Sequence, residues 1–386
     1  MAKLQTILLI IIAILLGWML ARDSGSTGAA AEKQRYADAF EHAEQLASTF
    51  HFAAAERAYE RAAALVTGDL ALTAYRQALR MNAMFAVAAA DRPTKFNLGR
   101  LEQLIDILRS QGGESVITAR LLDALVKDTR GQKEAAIAVL LALTDERADD
   151  PWPRWLLGRI YLERASVTDA TTHLEFAVKQ LKSFAPALHR LGLAYGTQKR
   201  FENAVRMLQM AIRNGSGHEA QLDLGRIFLA RKMWAEALKP LESSLQGAPA
   251  RAETIRMIAA AHFHLKNHQR AVETYLKAYD LEPEPRTLLS AAIAHHAAGA
   301  YPSALALLNR LQPYQAQIPE ILYQRALSLI GAKRVPEAQT MLSAYLEVAA
   351  GRKTETNRIE QARARLSQLK GQVKETPVQR SSGHSH

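Results

Sequence analysis

With 386 residues, 48% of them hydrophobic and 23% charged, the chain holds enough apolar material for two or three globular cores. It contains no cysteine, which excludes disulfides, a thiol nucleophile, Cys-ligated zinc and lipid attachment through cysteine. The net charge of +11 suits acidic partners or anionic lipid, but no aromatic-and-basic pattern recurs that would stack on bases, so nucleic acid is not an expected partner.

Residues 1–22 read as a transmembrane signal-anchor. Ile7 to Ala21 is an unbroken apolar run with Leu4 just before it. About 18 helical residues rise roughly 27 Å, just enough for a bilayer core. Trp18 suits the lipid–water boundary, and Ala13, Gly17 and Ala21 form a small-residue row on which two anchors could pack as a homo-oligomer. A cleaved secretory leader is the alternative reading of the same run. Residues 23–34, with the stretch DSGSTGAAA, read as a flexible linker. Arg22, Lys33 and Arg35 beyond the run, counted alone, favour a cytoplasmic domain; the short start with Lys3 favours export. The reading adopted is a single-pass protein of a bacterial inner membrane with its main domain in the periplasm, the cytoplasmic side being the alternative.

Residues 35–150 read as degenerate helical repeats. Ala43, Ala55, Tyr59 and Ala62 show a spacing that returns at Ala136, Leu140 and Leu143. Ala55 and Ala136 are 81 residues apart, not a whole number of steps; the segment between is alanine-rich, is interrupted at Asp91-Arg92-Pro93 and Gln111-Gly112-Gly113, and is expected to hold an inserted or lengthened element.

Residues 151–350 carry a clear period. Ala170, Ala204, Ala237, Ala271, Ala304 and Ala338 follow one another at steps of 33 or 34. Four residues after each stands Leu174, Leu208, Leu241, Tyr275, Leu308 or Leu342, on the same helical face. Twelve before each, the residue is small: Gly158, Gly192, Gly225, Ala259, Ala292, Ala326. Nine before, it is large, as at Tyr161, Tyr195, Phe228, His262, His295 and Leu329. Each unit is therefore predicted to be two helices joined by a short turn, with Pro249 and Pro283 just past second helices. This pattern resembles the tetratricopeptide repeat (TPR) family. The resemblance implies an all-α fold, a right-handed α-solenoid of stacked helix hairpins, here with an N-terminal transmembrane helix. Residues 351–370 read as a capping helix with the apolar stripe Ile359, Ala362, Leu366 and Leu369. Residues 371–386 read as a disordered basic tail, and the surplus of Lys and Arg over Glu beyond 350 suits anionic lipid.

Catalytic patterns are missing: there is no Gly-rich phosphate loop, no HExxH and no GxSxG. The acidic turn residues Asp149, Asp150, Glu282 and Glu284 suit helix capping better than general acid–base work. His262, His264, His268, His295 and His296 cluster in two adjacent units. His262 and His295 stand where an aromatic packs, and no carboxylate is evidently placed to complete a metal site, so no cofactor or metal is expected. A metal-binding or enzymatic regulator built on these histidines stays open as an alternative.

In the TPR family the first helices line a concave groove. Carried onto this chain, the resemblance assigns to the groove Trp152, Trp155, Arg159, His189, Arg226, Arg256, Phe263, His264, Arg286, His296 and Tyr323. Arginines among aromatics suit an extended peptide with acidic groups. The TPR subclass that grips acidic chaperone tails is not matched, because its paired asparagines are absent. The expected function is a non-enzymatic, membrane-tethered scaffold that binds proteins or peptides in bacterial envelope assembly, secretion or protein maturation. A soluble, exported peptide-binding protein is the alternative if the leader is removed.

Overall fold

A computed structural model describes residues 26–88, 97–246 and 251–374. The apolar run 7–21, the Asp91-Arg92-Pro93 interruption, Pro249 and the tail from residue 375 lie outside the described residues. Among those described there are nineteen α-helices, two short 3-10 segments and no strand, and no helix is long and apolar enough to cross a membrane. The chain divides into two compact units, residues 1–216 and 217–386, at the Gly215-Ser216-Gly217 turn.

The first unit comprises α1 (Ser26–Ser48), α2 (Phe52–Ala63), α3 (Asp69–Ala88), α4 (Leu98–Gln111), α5 (Glu114–Thr129), α6 (Lys133–Glu146), α7 (Pro151–Glu163), α8 (Val167–Gln180), α9 (Ala185–Thr197) and α10 (Phe201–Arg213). The second comprises α11 (His218–Ala230), α12 (Trp234–Ser244), α13 (Ala252–His264), α14 (His268–Leu281), α15 (Pro285–Ala297), α16 (Tyr301–Arg310), α17 (Glu320–Gly331), α18 (Val335–Ala349) and α19 (Thr356–Lys374). Two boundaries differ from expectation. Residues 26–34, read as linker, belong to α1: Ala29, Ala30 and Ala31 are the strongest helix formers, and one glycine does not break the run. Residues 371–374, read as tail, continue α19.

The hairpins close because the first helix of each is notched. A Cβ on Gly158 would stand 2.5 Å from Cγ of Leu174, one on Gly192 2.8 Å from Cγ of Leu208, and one on Gly225 2.6 Å from Cγ of Leu241. Each leucine thus fills a notch that only glycine leaves, and Ala170, Ala204, Ala237, Ala271, Ala304 and Ala338 are wholly buried beside it. In the later hairpins of the second unit alanine takes the notch, at Ala259, Ala292 and Ala326. Burying each such leucine stabilises by about 1.5–3 kcal/mol before entropy is counted.

The turn inside each hairpin from α5–α6 onward is equally regular. Gly131, Ala165, Lys199, Lys232, Lys266, Gly299 and Lys333 all have φ between +58° and +78°, the left-handed region. The next residue's N–H reaches back to close the helix: Ser166 donates to the Tyr161 carbonyl, Arg200 to Tyr195, Met233 to Phe228 and Asn267 to His262, each at 2.9 Å. This is the Schellman ending, which satisfies carbonyls the helix leaves without partners.

The expected irregularity lies in the α3–α4 hairpin. Leu101, Ile105 and Leu108 of α4 repeat the spacing of Ala136, Leu140 and Leu143, but a leucine stands where other units have alanine. With its notch partner too large, α4 packs mainly on α5 and makes little contact with α3, which lies on α2 and α5 instead. The surplus residues lengthen α3 to 20 residues and extend the connection after it. At the other end, Ala362 and Leu369 of α19 are buried against Tyr323, Leu342 and Tyr345, with Ile359 and Leu366 beside them.

Candidate functional site

In the first unit the candidate site forms around the start of α7. Asp150 caps that helix by accepting a bond from the Trp152 N–H at 2.9 Å, and Pro151 presets the first helical φ. Trp152 is thereby held half-buried in an aromatic group. Its ring lies 5.2 Å from that of Phe184, 5.6 Å from Phe52 and 6.2 Å from Phe50, and Phe50 lies 5.2 Å from Phe184. Phe50 comes from the α1–α2 turn, where it sits at φ 64°, and the His51 N–H bonds the Leu46 carbonyl at 2.9 Å.

Beside Trp152 opens a cleft of about 250 Å³. Phe50, Met81, Met84, Ile117 and Leu121 give it apolar walls, and Ser48, Arg80, Glu114 and Asp150 give it polar groups. Arg80 donates from Nη1 to Gln77 at 3.2 Å, while Nη2 stands 4.0 Å from Glu114. Its Nε is buried without a partner. Glu114 also accepts from Arg147. Burial pushes the Asp150 carboxyl above the usual range, against the opposing effects of the Trp152 N–H and nearby Arg147.

Two further residues assigned to the groove, Trp155 and Arg159, are core residues. Trp155 is completely buried, packs edge-on to Phe184 at 5.4 Å and donates from Nε1 to the Val87 carbonyl at 3.3 Å. Arg159 is 2% exposed: it pairs with buried Asp128 of α5 and bonds Glu163 at 2.8 Å, which also accepts from Lys133 at 2.7 Å. The guanidinium is thus consumed in joining α5 to α7, since a buried charge must be matched within the chain. His189 of α9 is buried as well.

In the second unit two of the arginines are paired within the chain. Arg226 bonds Asp223 at 3.2 Å and Glu253 at 2.9 Å. Arg256 lies 3.2 Å from Glu282 and 3.1 Å from Glu284. Arg286 is exposed and makes no ion pair among the described residues. Phe263 is half-buried; its ring meets those of His264 and His268 edge-on at 5.7 and 5.5 Å. His264 is exposed and stacks flat on Trp234 at 4.0 Å. The His296 Nδ1 lies 3.2 Å from the hydroxyl of buried Ser328. Tyr323 is buried, its hydroxyl donating to Gln361 of α19 at 3.1 Å.

The histidines do not converge. His262 is buried with Nδ1 unpartnered, and burial lowers its pKa, as it does at His295 and His296. Among the described residues no three His, Asp or Glu side chains come together closely enough to hold a metal ion. Sequence reasoning missed Phe50, Phe52, Phe184 and the two methionines of the cleft. Each lies in a turn or a divergent repeat, where the period assigns no role.

A family model described as the tetratricopeptide repeat matches residues 185–213 and 255–285. No curated protein matches the chain significantly. Among solved structures, the C-terminal part of a TPR repeat-containing protein from Cytophaga hutchinsonii superposes with a TM-score of 0.51 at 16% identity, covering 62% of this chain and 99% of that one. YrrB, a TPR protein with an unusual peptide-binding site, gives 0.43 at 16% identity over 50% of this chain and 97% of its own. Pseudomonas aeruginosa pilF gives 0.44 at 20% identity over 55% and 96%. Identities this low speak to the fold. The match to the repeat model and the superposition at 0.51, together with the notched hairpins and the repeated left-handed turn, lead to one conclusion: this chain carries tetratricopeptide repeats, in a fold whose described residues are helical and without strands.

Proposed function

We propose that the chain is a non-enzymatic scaffold that binds other proteins or peptides through side chains of its first helices. Residues 1–22 hold it at a bacterial inner membrane, with the repeats in the periplasm, and it serves envelope assembly, secretion or protein maturation. One observation carries this reading. Large side chains stand at the surface of first helices and are not used up in the core, namely Trp152 at its cleft, and Phe263, His264 and Arg286 in the second unit. A tether would raise the effective concentration of these surfaces for partners at the same membrane. The basic C-terminal residues are proposed to meet anionic lipid, and the small-residue row of the anchor to pair two copies.

The reading is tested in cells with a photo-crosslinking residue at Ser48, His264 or Arg286, all exposed. Partners trapped at these positions, and not at exposed second-helix positions such as Glu202 or Glu273, are the expected result. Equal trapping at both sets, or none at either, would overturn it. A reporter fused to the C-terminus reads the side of the membrane.

A further inference from the structure

Resting on the reading that first-helix surfaces take partners, we propose that the cleft beside Trp152 accepts one bulky apolar side chain of a partner segment, flanked in that segment by lysine or arginine. The volume of about 250 Å³ falls below that of pockets for cofactors or drug-sized molecules and suits a single large side chain. The walls are made for such a guest. Met81 and Met84 are unbranched and polarizable, so they conform to irregular apolar shapes, while Trp152 and Phe50 offer ring edges and faces.

The mouth is built from distant parts of the chain. Phe50 stands in the left-handed region at φ 64°, a costly conformation for a bulky residue. The corresponding turns from residue 131 onward use glycine, alanine or lysine there. Among the described residues only this turn carries an aromatic ring at the position, and the ring is turned onto Trp152 and Phe184 at the edge of the cleft.

The charge of the rim sets the sign of the flanking residues. Arg80 and Arg147 both lean on the single carboxylate of Glu114, two positive charges on one negative. Asp150 lines the cleft, Asp149 precedes it at the surface, and neither makes an ion pair among the described residues. A cation beside the apolar anchor would supply what these two carboxylates lack. The groove residues assigned from the sequence pointed to an acidic partner; at this cleft three carboxylates, Glu114, Asp149 and Asp150, stand with two guanidiniums, Arg80 and Arg147, a formal excess of one negative charge.

The test uses the full chain in detergent and three fluorescein-labelled peptides of equal length in a Gly/Ser background, with cores Lys-Phe-Lys, Glu-Phe-Glu and Lys-Ser-Lys, read by polarisation. The first is expected to bind, with the other two about tenfold weaker or more. Ser48→Trp, at an exposed position on the mouth, should fill the opening and weaken Lys-Phe-Lys binding at least about tenfold. Asp149→Lys, also exposed, should weaken it severalfold. Both variants should keep helix content and thermal midpoint. Equal binding of the Phe and Ser cores, equal binding with Glu and Lys flanks, or undiminished binding by Ser48→Trp would each overturn the proposal. Should one of these outcomes occur while partners are still trapped through Arg286, the cleft proposal falls and the scaffold reading stands.

Discussion

At the scale of single residues, stability depends on what is absent. Gly225 is a notch, and its tenant Leu241 is fully buried, so neither side can withdraw. Gly225→Ala, or Ala204→Leu in the neighbouring hairpin, should therefore overpack the pair and cost about 1–3 kcal/mol in urea unfolding. Neutral behaviour would mean that these residues do not face each other. His262 makes a second, pH-dependent prediction. Burial chiefly, with Arg270 adding to it and Glu242 opposing, holds its pKa below the ordinary 6.5. The unfolded chain therefore binds the proton at higher pH than the folded one. Stability is fully present above pH 6.5 and is lost as pH falls from there towards the folded value. Unfolding curves between pH 5 and 8 should show this loss, and His262→Phe, which restores an aromatic at the position, should reduce it. His173, His295 and His296 shift in the same direction and would leave a residual slope. An identical slope in the variant would remove His262 as a source of the pH dependence.

At the scale of the helix pair, the period is written twice, and only one copy was readable at first sight. The small residues announce themselves because alanine and glycine seldom recur at fixed steps unless close helix contact requires them. The left-handed turn residues recur at the same steps, but four of the seven are lysines, which read as ordinary surface charge. Their conformation becomes visible only with the Schellman bonds that close each turn. Left-handed backbone costs a residue with a Cβ about 1–2 kcal/mol, partly offset by the extra freedom glycine has when unfolded. Lys199→Gly or Lys232→Gly should therefore raise stability by about 0.5–1 kcal/mol, and Gly299→Ala should lower it by about 1 kcal/mol. Chemical denaturation of the three variants checks this; a loss on Lys→Gly would show that the lysine side chain holds the turn by other means. The α3–α4 irregularity was legible as an excess of residues, but not its location. That required seeing Leu101 in the alanine position and α4 turned towards α5.

At the scale of the whole molecule, the repeats were plain in the sequence and the site was not. Arginines at first-helix positions suggested a surface for acids. Arg226 and Arg256 instead meet Glu253, Glu282 and Glu284, which lie 26 to 28 residues further on, and Arg159 meets Asp128, 31 residues back. Such pairs fall between the steps of the period and cannot be read from one unit alone. The cleft joins Phe50 to Trp152 across about a hundred residues, a distance over which repeat logic makes no statement. The proposed tether can be separated from all of this by truncation. Tyr36 of α1 meets Phe40 of the same helix, and its hydroxyl reaches the Leu70 carbonyl of α3 at 3.4 Å. On the tether reading, removing residues 1–25 should leave the urea midpoint of the repeats unchanged. If Ile7 to Ala21 is the anchor, the full chain should float with vesicles and need detergent for extraction, while the chain from Ser26 should stay in the aqueous fraction. A shortened chain that still floats would move membrane binding to the basic C-terminal residues. High salt then tells the two apart, because screening releases a surface-bound basic segment and leaves an apolar span in place.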